Sequence, residues 1–376
     1  MKIAFVHEFL NTYAGSEKVL EQMLIEYPGA DLFAVVGLPK EERSFLKKYD
    51  VKTSFIQKLP LARTKYRNYV SLMPFAVEQF DLSGYDIVIS NCHAAAKSVI
   101  TGPDQLHISY VHSPMRYAWD LQAQYLREAG LEKGLKSWIA RYMLHRLRIN
   151  DLRSSISVDA YMCNSDFIRR RIWKLYRRKA KVIYPPVETD YFSLCEKKED
   201  YYLTVSRIVP YKKIDMIVEA FTRMPEKKLV VIGDGPEFEK ARSKAGSNVT
   251  LLGYQPNEII KEHMQKSKAF VFAAEEDFGI VPVEALSCGT PVIAYGKGGA
   301  LETVKTGVNG LLYFEQTAES LMQAVKDFEE SPKKISPAEI RATAEKFNPA
   351  RFRREFRENV ETLYSKFLQN GRELEE

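Results

Sequence analysis

Nothing in the 376-residue chain approaches the roughly 18–20 consecutive apolar residues that cross a bilayer, which excludes an integral helical span. Its opening, MKIAFVHEF, reads as a strand and not as a signal peptide, so a cytoplasmic location is expected. Cysteine is scarce: the four residues at 92, 163, 195 and 288 include no Cys-x-x-Cys pair, so neither a zinc site nor a disulfide framework is indicated, and buried free thiols are expected. No two aspartates stand at i, i+2, which removes one way of holding a divalent ion against a diphosphate. The turn Gly233-Asp234-Gly235-Pro236 is followed by Phe238 where a dinucleotide fingerprint needs its third glycine, and this argues against NAD.

What is present is 45% hydrophobic, enough over this length for two domains of ordinary size. The net charge of +6 is modest but unevenly placed. Fifteen Lys or Arg residues fall between Arg127 and Lys181, including Arg169-Arg170-Arg171 and Arg177-Arg178-Lys179. Such a stretch is either a solvated face or a contact for an anionic partner: a membrane surface at the inner face of the plasma membrane, or a diphosphate-linked acceptor. No nucleic-acid-binding module accompanies it, so nucleic acid is not expected as a partner.

Apolar runs alternate with helical spacing along the whole chain. In the first half strands are expected at Lys2–Val6, Leu32–Val36, Asp86–Ser90, Ile108–Val111, Tyr161–Asn164 and Lys181–Tyr184, with helices over Ser16–Glu26 and between Leu131 and Val158. Pro185-Pro186 and the polar region 188–200 form the best linker candidate. Beyond it the alternation restarts: strands at Tyr202–Ser206, Lys228–Ile232, Val249–Leu252 and Ala269–Phe272, helices at Asp215–Thr222 and Asn257–Gln265. This is the pattern of two α/β, doubly wound, Rossmann-like domains with parallel sheets. Near the end, Phe352, Phe356, Val360, Leu363 and Phe367 form one apolar stripe on a long helix that starts at Asn348-Pro349.

The most informative segment is 276–299, EDFGIVPVEALSCGTPVIAYGKGG. Glu276 and Glu284 flank a Phe-Gly-Ile turn that runs into a short helix. Gly279 permits close backbone approach, Pro282 suits the first turn, and Gly289 with Pro291 ends the helix before Val292–Tyr295. A helix N-terminus with free N–H groups favours a phosphate, and a carboxylate accepts hydrogen bonds from hydroxyls. Phosphate flanked by polyols describes a nucleotide sugar.

Glu276-x7-Glu284, followed by Gly289-Thr290-Pro291-Val292-Ile293 and Gly298-Gly299-Ala300-Leu301-Glu302, resembles the donor-site signature of retaining GT-B glycosyltransferases that use nucleotide-diphosphate sugars. The resemblance covers nearly the whole chain. It implies two domains facing across a cleft: 1–185 for the acceptor, 186–350 for the nucleotide-sugar donor, and 351–376 as a helix crossing back to the N-terminal domain. It implies that Arg207 and Lys212 neutralise the departing diphosphate in place of a metal, with no cofactor. Glu276 would contact the transferred sugar beside Phe278, Gly279, Ile280 and Val281, and Glu284, opening its helix, the ribose. Without the family, Glu284 could be an ordinary first-turn carboxylate and Arg207 and Lys212 a surface pair.

The nucleotide would lie near Gly233, Gly235 and Tyr254, although a tyrosine after a strand is more often packing. In the N-terminal half, Gly15 stands where the family places a glycine loop against the diphosphate, although Ala14 replaces a common second glycine. His112, in Tyr110-Val111-His112-Ser113-Pro114-Met115-Arg116-Tyr117, would touch the donor sugar; a lone histidine is otherwise usually structural. Arg116, Tyr117 and Trp119 are acceptor candidates, as is the stretch Phe55–Tyr69. The implied activity is transfer of glucose or mannose from a UDP- or GDP-sugar to a lipid-linked saccharide in exopolysaccharide or O-antigen synthesis, with retention. The alternatives are a nucleotide-sugar epimerase of related fold and an inactive nucleotide-binding scaffold.

Overall fold

The computed structural model describes residues 1–10, 13–37, 46–331, 335–372 and 374. The chain divides into two compact units, Met1–Tyr184 with Phe352–Glu376, and Pro185–Arg351.

The first unit is a parallel sheet of seven strands: β1 (Ile3–Leu10), β2 (Asp31–Gly37), β3 (Val51–Thr53), β4 (Ile87–Cys92), β5 (Leu106–Val111), β6 (Ala160–Cys163) and β7 (Ala180–Val182). Their spatial order is β3-β2-β1-β4-β5-β6-β7, so the winding reverses between β1 and β4. Burial on both faces explains the continuous apolar runs. One face is covered by the helix Gly15–Glu26, whose Val19, Leu20, Met23 and Leu24 are buried. Phe352, Phe356, Val360 and Phe367 of the helix Pro349–Gln369 complete the same core. The apolar stripe at the end of the chain thus packs with the first unit; residues 373, 375 and 376 of the expected 351–376 segment lie outside the described residues.

The second unit carries six parallel strands: β8 (Glu199–Val205), β9 (Leu229–Ile232), β10 (Val249–Leu251), β11 (Ser267–Phe272), β12 (Val292–Tyr295) and β13 (Gly310–Tyr313). Their order, β10-β9-β8-β11-β12-β13, repeats the reversal between β8 and β11. The boundary between the units falls between Tyr184 and Pro185, at the expected Pro185-Pro186, and the 188–200 region belongs to the second unit. Thr189 and Phe192 are buried, and the Arg341 guanidinium donates to both their carbonyls, at 3.1 and 3.0 Å. The polar residues Asp190, Glu196, Lys197, Glu199 and Asp200 of this region face water.

Candidate functional site

In an open α/β sheet, ligands settle outside the carboxyl ends of the strands where the winding reverses. In the second unit that point is set by β8 and β11, which pair in parallel with Leu203 beside Phe270. The loops that begin at Ser206 and Ala273 therefore emerge side by side, one carrying Arg207 and Lys212, the other Glu276.

Arg207 is exposed on its loop. Lys212 closes the short turn Pro210–Lys212, and Lys213, in the left-handed region at φ 55°, swings the chain into the helix Ile214–Thr222. The Lys212 ammonium forms an ion pair with Glu276 Oε1 and lies over the rings of Tyr211 and Phe272, 5.4 and 5.8 Å from their centroids. The cation and carboxylate expected to work together are in contact.

Two glycine contacts hold these loops. Gly233, at φ 137°, packs so closely on the other loop that an added Cβ would lie 1.8 Å from Ser206 O, and one on Gly235 2.3 Å from Ile208 O. Main-chain bonds from Ser206 N to Ile232 O and from Ile208 N to Asp234 O complete that seam. On the other side Gly298, at φ 68°, pairs with Glu276 as an isolated bridge, and Gly299 N donates to Glu276 O at 2.8 Å. A Cβ on Gly298 would sit 2.3 Å from that same carbonyl oxygen.

Gly279, at φ 84°, caps the helix Ile280–Ser287 with no side chain accepting from its first turn. The N–H groups of Ile280 and Val281 are thus oriented by the helix start, with the positive end of the helix dipole behind them. Phe278 is buried with its ring 5.3 Å from that of Phe347. Glu284 departs from expectation: it does not open the helix but is its fifth residue, and it is only 6% exposed. The helix begins only after the left-handed glycine, so the first-turn reading of this carboxylate is replaced by a buried position one turn deeper. Tyr254 follows Gly253, whose carbonyl accepts from Gly233 N at 2.8 Å, and its side chain is 80% exposed.

The reversal point of the first unit is furnished differently. His7 and Glu8, on β1, lie beside Asn91 and the turn after β4. The fully buried Glu8 accepts from the main-chain N–H groups of His93, Ala94, Ala95 and Ala96 at 2.7–3.0 Å, and from the His93 ring at 3.2 Å. Burial alone would raise its pKa; the His93 hydrogen bond and charge, with those N–H groups, hold it far below the usual carboxylate range. Glu17 is likewise lowered, against burial, by its bond and charge interaction with His7, whose Nε2 lies 3.7 Å away.

His112, just beyond β5, is buried and stacked on His93 at 4.6 Å between centroids. Burial, then the neighbouring His93 and His7, push its pKa well below the ordinary imidazole value. Its Nε2 meets Asn91 Oδ1, while Asn91 Nδ2 donates to Ser16 O at 3.2 Å. With Oδ1 as acceptor, the neutral ring carries its proton on Nε2. Gly15 begins the next helix, and Glu17 reaches back to take the Ala14 N–H at 2.8 Å.

Of the acceptor candidates, Arg116 and Tyr117 are half-buried, and Tyr117 lies edge-on to Tyr125 at 6.2 Å. The Trp119 indole donates to Asp151 at 2.7 Å, in a buried cluster that also holds Lys97 and Tyr176. Its one donor is therefore committed to packing. Sequence reasoning missed His7, Glu8, Asn91 and His93. The available signal was a His-Glu pair inside an otherwise apolar strand, because a charge at the carboxyl end of a buried parallel strand must have a partner.

Residues 188–347 match the family model described as glycosyl transferases group 1. Among relatives, an uncharacterized glycosyltransferase of Methanocaldococcus jannaschii is 28% identical over 190 residues, covering 49% of this chain and 52% of its own. A GDP-mannose-dependent alpha-(1-6)-phosphatidylinositol monomannoside mannosyltransferase of Mycolicibacterium smegmatis is 29% identical over 181 residues, 40% and 47%. The chain thus spans about half the length of the relatives it matches. The crystal structure of HepE from Anabaena, in complex with UDP, superimposes with a TM-score of 0.70 at 18% identity, covering 96% of this chain and 100% of that one. At that identity the likeness concerns the fold, and the fold is GT-B: two Rossmann-like parallel-sheet units of seven and six strands.

Proposed function

We propose that this chain, whose residues 188–347 match the family model described as glycosyl transferases group 1, is a glycosyltransferase drawing a hexosyl group from a nucleotide-diphosphate sugar. The observation that carries this reading is the Lys212–Glu276 ion pair at the reversal point of the second sheet, beside the uncapped helix start at Gly279. Negative charge that develops on a departing diphosphate needs preorganised donors. Lys212 and Arg207 supply cations, and the Ile280 and Val281 N–H groups supply a helix terminus. Glu276, already held by its own backbone and paired with Lys212, accepts from sugar hydroxyls.

In this reading Glu284 accepts from the ribose, Gly233, Gly235 and Tyr254 border the nucleotide, and Gly15 and His112 contribute donor contacts from their own unit. A neutral His112 bearing its proton on Nε2 offers Nδ1 as an acceptor for a hydroxyl. Transfer proceeds with retention and without a metal. Glucose or mannose from UDP or GDP is the donor, and a lipid-linked saccharide in cell-surface polysaccharide synthesis is the acceptor. The donor of the M. smegmatis relative and the UDP bound to HepE support the nucleotide-sugar class. An anionic membrane surface is the partner proposed for the basic 127–181 region. Among the described residues no helix is long and apolar enough to cross a membrane.

The test is thermal melting against UDP-glucose, GDP-mannose and the bare nucleotides, since a ligand well above its dissociation constant stabilises the folded state by ~3 kcal/mol. One donor should raise the midpoint of the parent and fail to do so in Arg207→Ala. Absence of a shift with every nucleotide sugar and nucleotide would sink the reading.

A further inference from the structure

The helix Leu135–Ile156 in the first unit is built inside out. Its buried positions are Ser137, Leu147, Asp151, Ser154 and Ser155, mostly polar. Its water-facing side carries Leu135, Trp138, Tyr142, Ile149, Leu152 and Ile156, with Leu135 78%, Trp138 76% and Tyr142 59% exposed. At 100° per residue these six fall on one stripe. The remaining exposed positions are Ile139, His145 and the cations Lys136, Arg141, Arg146 and Arg153; none is acidic. A monomer rarely leaves so long an apolar face in water. The next helix, Asp166–Tyr176, continues the pattern with exposed Arg169, Arg170, Trp173 and Lys174.

We propose that this face is an interfacial docking surface that lies in the plane of an anionic membrane, with Trp138 and Tyr142 at headgroup depth and Arg141 and Arg146, which flank the stripe, on the lipid phosphates. This deepens the membrane partner named above, assigning it to one helix face, and does not depend on the transfer chemistry. A second copy of this chain is a poorer occupant: a two-fold contact through this stripe would set Arg141 and Arg146 of one copy against those of the other, and none of the helix's own exposed positions is acidic. A lipid surface accepts apolar and aromatic groups together with positive charge, each Lys or Arg adding attraction within a Debye length. Tyr and Trp, amphipathic rings, suit the boundary.

The experiment is co-sedimentation of the full chain with vesicles of phosphatidylcholine alone and of phosphatidylcholine mixed equally with phosphatidylglycerol, needing no donor or acceptor. Binding to the anionic vesicles only, weakened by added salt and accompanied by a blue shift of tryptophan emission, is expected. Trp138→Glu with Tyr142→Glu should lower the partition about tenfold or more, and Arg141→Glu with Arg146→Glu comparably. These side chains are exposed, so unchanged melting of both variants checks the fold. The proposal is overturned if anionic vesicles do not bind the parent, if the variants bind as the parent does, or if the face instead supports a dimer that Trp138→Glu dissociates. Since donor-induced melting shifts are read separately, a failure here leaves the transferase reading standing, and the converse.

Discussion

The two sheets of this protein share a winding order yet equip their reversal points in opposite ways. In the first unit the polar groups at the ends of β1, β4 and β5 are buried and satisfied by one another: Glu8 by four main-chain N–H groups and His93, Glu17 by His7, His112 by Asn91. In the second the charges of Arg207, Lys212 and Glu276 stand on loops with partial access to water, and backbone contacts to glycines hold the loops. A buried network contributes stability and fixes orientation, whereas accessible charges on a clamped backbone remain available to a ligand. Substitutions of the fully satisfied Glu8 or Glu17 at the first point should therefore be felt mainly in folding, and those at the second mainly in turnover.

The sharpest break of that comparison is Arg207→Ala or Lys212→Ala. Either should reduce donor turnover by ~10²–10³, as loss of a single preorganised donor does, with nearly unchanged melting. Glu8→Ala should do the reverse, destabilising the first unit by ~3–5 kcal/mol in denaturant unfolding because buried N–H groups lose their acceptor; Glu8→Gln, which keeps one, should cost less. Gly298→Ala tests the clamp. Its Cβ would displace the Glu276 carbonyl, and a displacement near 1 Å is worth about 10² in rate, a larger effect than on stability.

The smallest effect is on pH dependence. Glu329, in the second unit, is pulled down to about 2 despite burial by bonds from Lys227, Lys268 and Tyr202. Its folded value lies below the unfolded 4.5, so its contribution is fully present above pH 4.5 and is lost as pH falls toward about 2. Glu8 follows the same sign in the first unit. Glu329→Gln should flatten the acid limb of unfolding for the second unit and leave that of the first, as domain-resolved hydrogen exchange would read.

Much of this was legible in the chain. Val292–Tyr295 is a strand to the residue, and the helix and strand alternation locates eleven of thirteen strands; the short β3 and the β13 edge strand, with Gly310 at its start, carry too little apolar run to be seen. Lys212 and Glu276 were singled out through the family resemblance, one for the diphosphate and the other for the sugar, and that they pair with each other is visible only in the structure. Glu284 was misplaced by about one turn because nothing local says that Gly279 adopts a left-handed cap and the helix begins at Ile280. His7 and Glu8 were overlooked because strand periodicity reports burial and not partners.

Sequence alone determined the class: two wound α/β units, their alternation, and the residue types gathered after particular strands, since apolar periodicity and glycine or proline punctuation are local properties. Tertiary structure decided which of those residues meet. Asn91 reaches His112 and His7 only because β4 lies between β1 and β5, Gly298 grips Glu276 only through sheet order, and the long basic helix turns its apolar side outward only because Ser137, Asp151 and the serines at 154 and 155 found partners or close packing within. Contacts between distant segments are paid for by the whole fold, and no window of sequence contains them.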